Sequence, residues 1–241
     1  MSELDSKTAL VTGSAKRVGK EIALALADEG ADVGVHYRTS GDAAEKTAEE
    51  IREKGVESSV FQADLSEVEE CESLVDDVAD EFEGLDIVVN SASVFFETPF
   101  GEVDEDDWNH NIDVNLRAPF FVSQRAAEVI DEGKIVNIAG VGGITPYPSY
   151  LPYSASKAGL ISLTKGMAKE LAPEISVNAV APATVLSPPD RDEEEERRIA
   201  ETIPVGSIGS PDDVSEAVVY LTSASEFVTG VVLPVDGGKT A

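Results

Sequence analysis

A lone cysteine and only two histidines leave this chain short of the residues that disulfides and metal sites need. With Cys71 unpartnered there is no intramolecular disulfide, and its acidic neighbours do not activate a thiol, so it reads as a buried or half-buried packing residue. His36 and His110 lie far apart with no cluster of ligand-type side chains around either, so no metal site is expected. No apolar run approaches the roughly 20 residues that cross a bilayer. Met1-Ser2-Glu3-Leu4-Asp5 has neither a basic start nor an apolar stretch, which predicts no secretory signal and a cytoplasmic protein. Cations are scarce too: 18 Lys and Arg face 47 Asp and Glu, a formal charge of -29. Such a surface repels nucleic acid and anionic membranes, and neither is expected as a partner.

What is present suits a globular enzyme. The 241 residues, 42% of them hydrophobic, can bury a substantial core. No linker rich in Gly, Pro or Ser divides them and no repeat of solenoid length occurs, so residues 1–241 read as one domain. The acids are spread over many segments instead of a tail. That pattern resembles the proteins of salt-loving microbes, in which concentrated salt screens self-repulsion. The most charged segment, Asp190 to Arg198, follows Ser187-Pro188-Pro189. It reads as a solvated helix face, with a mobile lid over the active site as the second reading.

Short β-branched runs alternate with longer helical ones. Strands are expected at Thr8–Val11, Asp32–Tyr37, Ser59–Gln62, Asp86–Val89, Lys134–Ile138, Ser176–Val180 and Val231–Val235. Helices are expected from about Arg17 to Glu29, closed by Gly30, and from Ala43 to Lys54, closed by Gly55. Strand, helix, strand in repetition implies an α/β fold: a doubly wound, mostly parallel seven-stranded sheet of Rossmann type, flanked by helices and joined by right-handed crossovers.

Between the first strand and first helix lies Thr12-Gly13-Ser14-Ala15-Lys16-Arg17-Val18-Gly19. A turn there turns backbone N–H groups and a helix N-terminus toward a pyrophosphate, and glycine allows close backbone approach. Further landmarks follow in order: Asp64-Leu65, Asn90-Ser91-Ala92-Ser93, Asn115, Tyr153-Ser154-Ala155-Ser156-Lys157, Pro182 and Asp236-Gly237-Gly238. In this set and order the chain resembles the short-chain dehydrogenase/reductase family over nearly its whole length. Many relatives have a glycine where Arg17 stands; the Lys16-Arg17 pair is similar to that of pteridine reductases.

The second strand ends in His36-Tyr37-Arg38-Thr39-Ser40, with no acid to bind a ribose 2′-hydroxyl. Arg17, Arg38 and His36 would offer charge-assisted donors to a 2′-phosphate, with Thr39 and Ser40 adding hydroxyls, so NADPH is favoured over NADH. A polyanionic chain must also invert its sign locally to hold an anionic dinucleotide, and Lys16, Arg17, Lys20 and Arg38 supply that inversion. The resemblance further implies that Asp64 and the Leu65 backbone meet the adenine. It places Asn90 and Ala92 along the ribose, and Pro182 and Val185 at the nicotinamide carboxamide.

Tyr153 and Lys157 are spaced i, i+4 and share one face of a helix. A tyrosine with an ordinary pKa of about 10 exchanges protons poorly at neutral pH, and a neighbouring ammonium and a bound nicotinamide cation are together expected to lower it. By resemblance Tyr153 is the general acid, Lys157 also binds the nicotinamide ribose, and Asn115 holds a water in the proton relay. Most relatives place a serine 13 residues before the tyrosine to polarise the substrate carbonyl. Pteridine reductases place an aspartate there, and this chain has Gly140. A water, a hydroxyl of Thr145, Tyr147 or Ser149, or a substrate needing no donor would each account for the departure. Phe95 matches an aromatic that sandwiches a flat substrate in pteridine reductases; filling the core is the alternative for Phe95 and Phe96. The leading expectation is an NADPH-dependent reductase of a small carbonyl or pteridine-type substrate. The alternatives are a 3-oxoacyl thioester reductase and, because of Gly140, a non-catalytic dinucleotide-binding sensor. The resemblance also implies a homo-oligomer, commonly a tetramer.

Overall fold

A computed structural model describes residues 4–186 and 193–241. Seven parallel strands form one sheet in the order β3-β2-β1-β4-β5-β6-β7. They are β1 (Thr8–Val11), β2 (Asp32–Tyr37), β3 (Ser58–Gln62), β4 (Ile87–Asn90), β5 (Gly133–Ile138), β6 (Ile175–Pro182) and β7 (Val232–Val235). All seven expected strands are present, with ends within two residues of those read from the sequence. The helices are α1 (Arg17–Asp28), α2 (Gly41–Arg52), α3 (Val68–Glu81), α4 (Glu105–Ile112), α5 (Ala118–Val129), α6 (Leu151–Glu170), α7 (Glu193–Glu201) and α8 (Pro211–Ser223). No helix among the described residues is long and apolar enough to cross a membrane.

The strands read as continuous apolar runs because both sheet faces are covered. In β1, Ala9 and Val11 join the core under α1, α2 and α8, whereas Leu10 joins the one under α3 and α5. β4 divides the same way, with Ile87 and Val89 on the first side and Val88 on the second. Fully buried Leu10, Ile22, Leu26, Ile51 and Leu74 anchor these layers. Each such side chain contributes about 1.5–3 kcal/mol of transfer free energy. Cys71 lies in the second layer, and burial pushes its thiol up to about 12, so it is an inert packing residue.

The strand order reverses between β1 and β4, which opens a crevice at the C-terminal edge of the sheet, where an α/β sheet takes its ligands. Part of the charged segment, α7, is a helix whose Arg198 pairs with Glu194 at 2.5 Å and is 71% exposed. That agrees with a solvated face; the preceding residues 187–192, on which the lid reading rests, lie outside the described residues.

Candidate active site

The strand-end motifs singled out in the sequence gather on this one edge. Gly13 follows β1, Arg38 follows β2, Asp64 follows β3, and Asn90, Gly140 and Pro182 stand at or beyond the ends of β4, β5 and β6.

The loop after β1 is built by close approach. A Cβ on Gly19 would sit 2.4 Å from the Gly13 carbonyl oxygen, and one on Gly13 would sit 2.8 Å from the Ala92 Cα. Thr12 Oγ1 accepts hydrogen bonds from the Ser91 and Ala92 amides, tying the β4 loop to it. His36 braces the loop from below: Nδ1 accepts from the Gly13 amide at 2.9 Å, and Nε2 lies 3.1 Å from the Ala63 carbonyl oxygen. Burial pushes the imidazole down to about 4, so it is neutral near pH 7. The expected role of His36 as a cationic donor to a phosphate is thereby corrected. Both ring nitrogens are already engaged, and the residue is 3% exposed.

The remaining cations do gather at this end. Lys16 and Arg17 are exposed, and Lys16 Nζ reaches the Ser40 hydroxyl at 3.2 Å. Arg38 is half-exposed and 3.9 Å from the Asp64 carboxylate, with exposed Thr39 beside it. The Tyr37 ring covers Gly41 at the start of α2. Lys20, by contrast, is spent on Glu50 at 2.7 Å. Asp64 is held below the usual carboxylate range by the Ser66 hydroxyl and amide. Leu65 and Val185 are buried, and Val18 is partly buried against the core. The Asn90 side chain turns inward to Ser123 and Asn137, leaving its backbone to face the crevice beside Ala92. A glycine-lined approach flanked by Lys16, Arg17, Arg38 and two hydroxyls fits a dinucleotide carrying an additional phosphate.

Tyr153 and Lys157 share one face of α6, with the ammonium 5.8 Å from the centre of the phenol ring. Lys157 Nζ donates to the Ile138 carbonyl at 2.9 Å, which ties the helix to the end of β5. In the protein alone, burial acts on both groups. Desolvation pushes the Tyr153 phenol above its ordinary range and pushes Lys157 down to about 7. Both shifts favour the neutral forms, a protonated phenol and an uncharged amine.

Asn115 stands in a π-helical turn, Asp113–Arg117, and is fully buried. Its Oδ1 accepts from the Val94 amide and the Ser93 hydroxyl, both at 2.9 Å, and its Nδ2 donates to the Val94 carbonyl. The side chain thus holds the segment that carries Phe95. A π turn inside a helix is a frequent mark of a functional site. Sequence reading included Ser93 in the Asn90-Ser91-Ala92-Ser93 landmark but missed this role.

Phe95 is 54% exposed, which removes the core-filling alternative for it. It stacks on Tyr150 at 4.4 Å and 6° and meets Tyr153 edge-on at 4.7 Å. Tyr150, three residues before Tyr153 and so on the same side of the chain, is a wall residue that sequence reading also missed. Phe96 instead packs toward His110. Gly140 has φ 86 and ψ 148, a backbone region essentially closed to other residues. A Cβ there would lie 2.7 Å from the Tyr153 hydroxyl oxygen. Thr145 and Ser149 are exposed, whereas Tyr147 is half-buried against Gly142.

Comparison with known proteins agrees with this geometry. Residues 13–240 match the family described as enoyl-(acyl carrier protein) reductase. The chain is 36% identical over 241 aligned residues to a 3-oxoacyl-(acyl-carrier-protein) reductase FabG of Staphylococcus aureus, covering 97% of this chain and 98% of the relative. It is 38% identical over 248 aligned residues to 3beta-hydroxysteroid dehydrogenase 1 of Eggerthella lenta, covering 99% and 95%. A short-chain dehydrogenase of Burkholderia cenocepacia, solved in complex with NADP, superposes with a TM-score of 0.94 at 33% identity, covering 99% of this chain and all of that one. With its crevice, its tyrosine and lysine and these likenesses taken together, the chain belongs to the short-chain dehydrogenase/reductase family and is an NADP(H)-dependent oxidoreductase.

Proposed function

We propose that the protein reduces a ketone carbonyl of the 3-oxoacyl thioester or cyclic ketone type, with Tyr153 as proton donor. The observation that carries this reading is the pair on α6: a phenol whose hydroxyl lies close against Gly140, with a buried lysine one turn behind it. The dinucleotide, when bound, supplies the hydride. Tyr153 gives its proton to the oxygen as the carbonyl becomes an alcohol, and Lys157, pushed down to about 7, can return a proton at neutral pH. Asn115 and Ser93 hold Val94 in place and so set where the Phe95 ring stands at the mouth. Lys16, Arg17, Arg38 and Ser40 supply charge and hydroxyls for the 2′-phosphate. Arg17 adopts φ 61, a region that favours glycine. Such backbones cost about 1–2 kcal/mol for an L-residue, a strain that a functional side chain justifies. The relatives named for 3-oxoacyl reduction and hydroxysteroid oxidation support the substrate class.

A pteridine is the second reading, favoured by Phe95, which leaves an exposed, edge-supported aromatic wall for a flat heterocycle. The acidic surface supports assay in concentrated salt, and the resemblance supports assembly with further copies of this chain. The test is NADPH oxidation in molar salt with acetoacetyl-CoA, cyclohexanone, dihydrobiopterin and dihydrofolate. Turnover of the first two is expected. Turnover of the pterins alone moves the assignment to the second reading, and no oxidation with any of the four overturns both.

A further inference from the structure

The family's usual carbonyl-polarising serine is not merely missing at position 140; there is no room for one. A Cβ on Gly140 would stand 2.7 Å from the Tyr153 hydroxyl oxygen, on a backbone of φ 86 that side chains avoid. The phenol therefore occupies the space through which that serine would reach a substrate oxygen. Among the three side-chain hydroxyls that follow within ten residues, Thr145 and Ser149 are exposed. Tyr147 alone of the three turns back toward the catalytic tyrosine. Both rings flank Gly142, where a Cβ would lie 2.9 Å from Tyr153 Cε1 and 3.2 Å from Tyr147 Cδ2 and Cε2.

We propose that Tyr147 is the second carbonyl donor of this site, hydrogen-bonding the substrate oxygen in place of the serine that Gly140 excludes. The proposal rests on the ketone-reductase reading above and adds a residue to it. Tyr147 is braced for the task. Its amide donates to Ser154 Oγ at 3.0 Å, fixing it to the first turn of α6, and the Lys239 ammonium stands 5.8 Å from its ring centre. Burial, with the Asp236 carboxylate nearby, raises its phenol above the ordinary range, so it remains a donor throughout the neutral range. The electrons balance without it. The π pair of the carbonyl moves to oxygen as hydride reaches carbon, and that oxygen takes the Tyr153 proton. Tyr147 keeps its own proton and stabilises the charge that develops on oxygen. Placing two phenols here also explains why the site needs glycine at 142 as well as at 140.

The experiment compares Tyr147→Phe with wild type on acetoacetyl-CoA, together with NADPH affinity by fluorescence titration. Removing one hydroxyl is expected to lower kcat about a hundredfold while the NADPH Kd stays within about threefold. A second measurement is independent of turnover. In the Tyr153→Phe background with NADP+ bound, the infrared band of a ketone carbonyl labelled with carbon-13 is recorded with and without Tyr147→Phe. The band is expected to move to higher frequency when Tyr147 loses its hydroxyl. A kcat for Tyr147→Phe within about threefold of wild type, or an unmoved band, overturns the proposal. Full turnover by Tyr153→Phe alone would instead overturn the underlying reading of the site, and this proposal with it.

Discussion

Burial acts on Tyr153 and Lys157 in opposite senses, raising one and lowering the other, and both shifts favour the neutral pair. The lysine shift has a consequence for stability. Its folded value of about 7 lies below the unfolded 10.5, so between those values the unfolded chain holds a proton the folded one has released. Stability from this group therefore rises with pH across that window and is flat below it. Lys157→Met removes the effect. Its Tm is expected to exceed wild type by most at pH 7, the gap narrowing by pH 9.5; a gap independent of pH would contradict the buried ammonium. Among the described residues the Arg38 guanidinium makes only a 3.9 Å contact to Asp64, which leaves it available for a phosphate. Arg38→Asp is expected to lower the NADPH-to-NADH activity ratio about 10- to 100-fold, the scale of a lost charge-assisted hydrogen bond. At this scale the i, i+4 spacing showed that Tyr153 and Lys157 share a face. How strongly the phenol is desolvated was not legible, because Phe95, which meets it edge-on, comes from another segment. His36 was misread for the same reason. Its partners, Gly13 and Ala63, are 23 and 27 residues away in sequence.

Elements were more legible than side chains. All seven strands could be read from β-branched runs, since a parallel sheet covered on both faces needs apolar residues at consecutive positions, as Leu10 and Val11 show by entering opposite cores. The π turn at Asn115 could not be read, because its i→i+5 geometry leaves no periodicity of its own in so short a stretch. Nor could the 3-10 turn Val141–Gly143, whose Gly142 lies against both Tyr147 and Tyr153. The junction of β1 and α1 is the element most sensitive to substitution. Gly19→Ala would push a methyl to 2.4 Å from the Gly13 carbonyl oxygen, where only backbone movement relieves the clash. A loss of about 1–3 kcal/mol in unfolding free energy is expected, with weakened NADPH binding; urea unfolding and a binding titration read the two effects. Unchanged values for both would show that the loop is looser than these distances imply.

For the molecule as a whole, a charge of -29 on 241 residues is the dominant long-range term. Among the described residues, many of the ion pairs lie at the surface, such as Lys54 with Asp28 and Arg52 with Glu45, and contribute little each. They leave most acids unpaired, so self-repulsion opposes compaction unless salt shortens its range from roughly 30 Å at 0.01 M to about 3 Å at 1 M. We propose that the fold is adapted to concentrated salt. Dialysis from molar salt into dilute buffer is expected to lower Tm and reduce the far-ultraviolet circular dichroism signal. An unchanged spectrum would remove salt adaptation from the account. The net charge was plain in the sequence; where cations break it was not, because Lys20 turned out to be paired and Lys16 to sit with Ser40.

The most direct test of the account is the turnover of Tyr153→Phe on acetoacetyl-CoA, measured beside its NADPH Kd in molar salt. If this phenol supplies the proton, kcat falls by at least about a hundredfold while NADPH binds as in wild type. A variant that turns over as fast as the parent protein would mean that the proton comes from elsewhere, and the proposed chemistry would not stand.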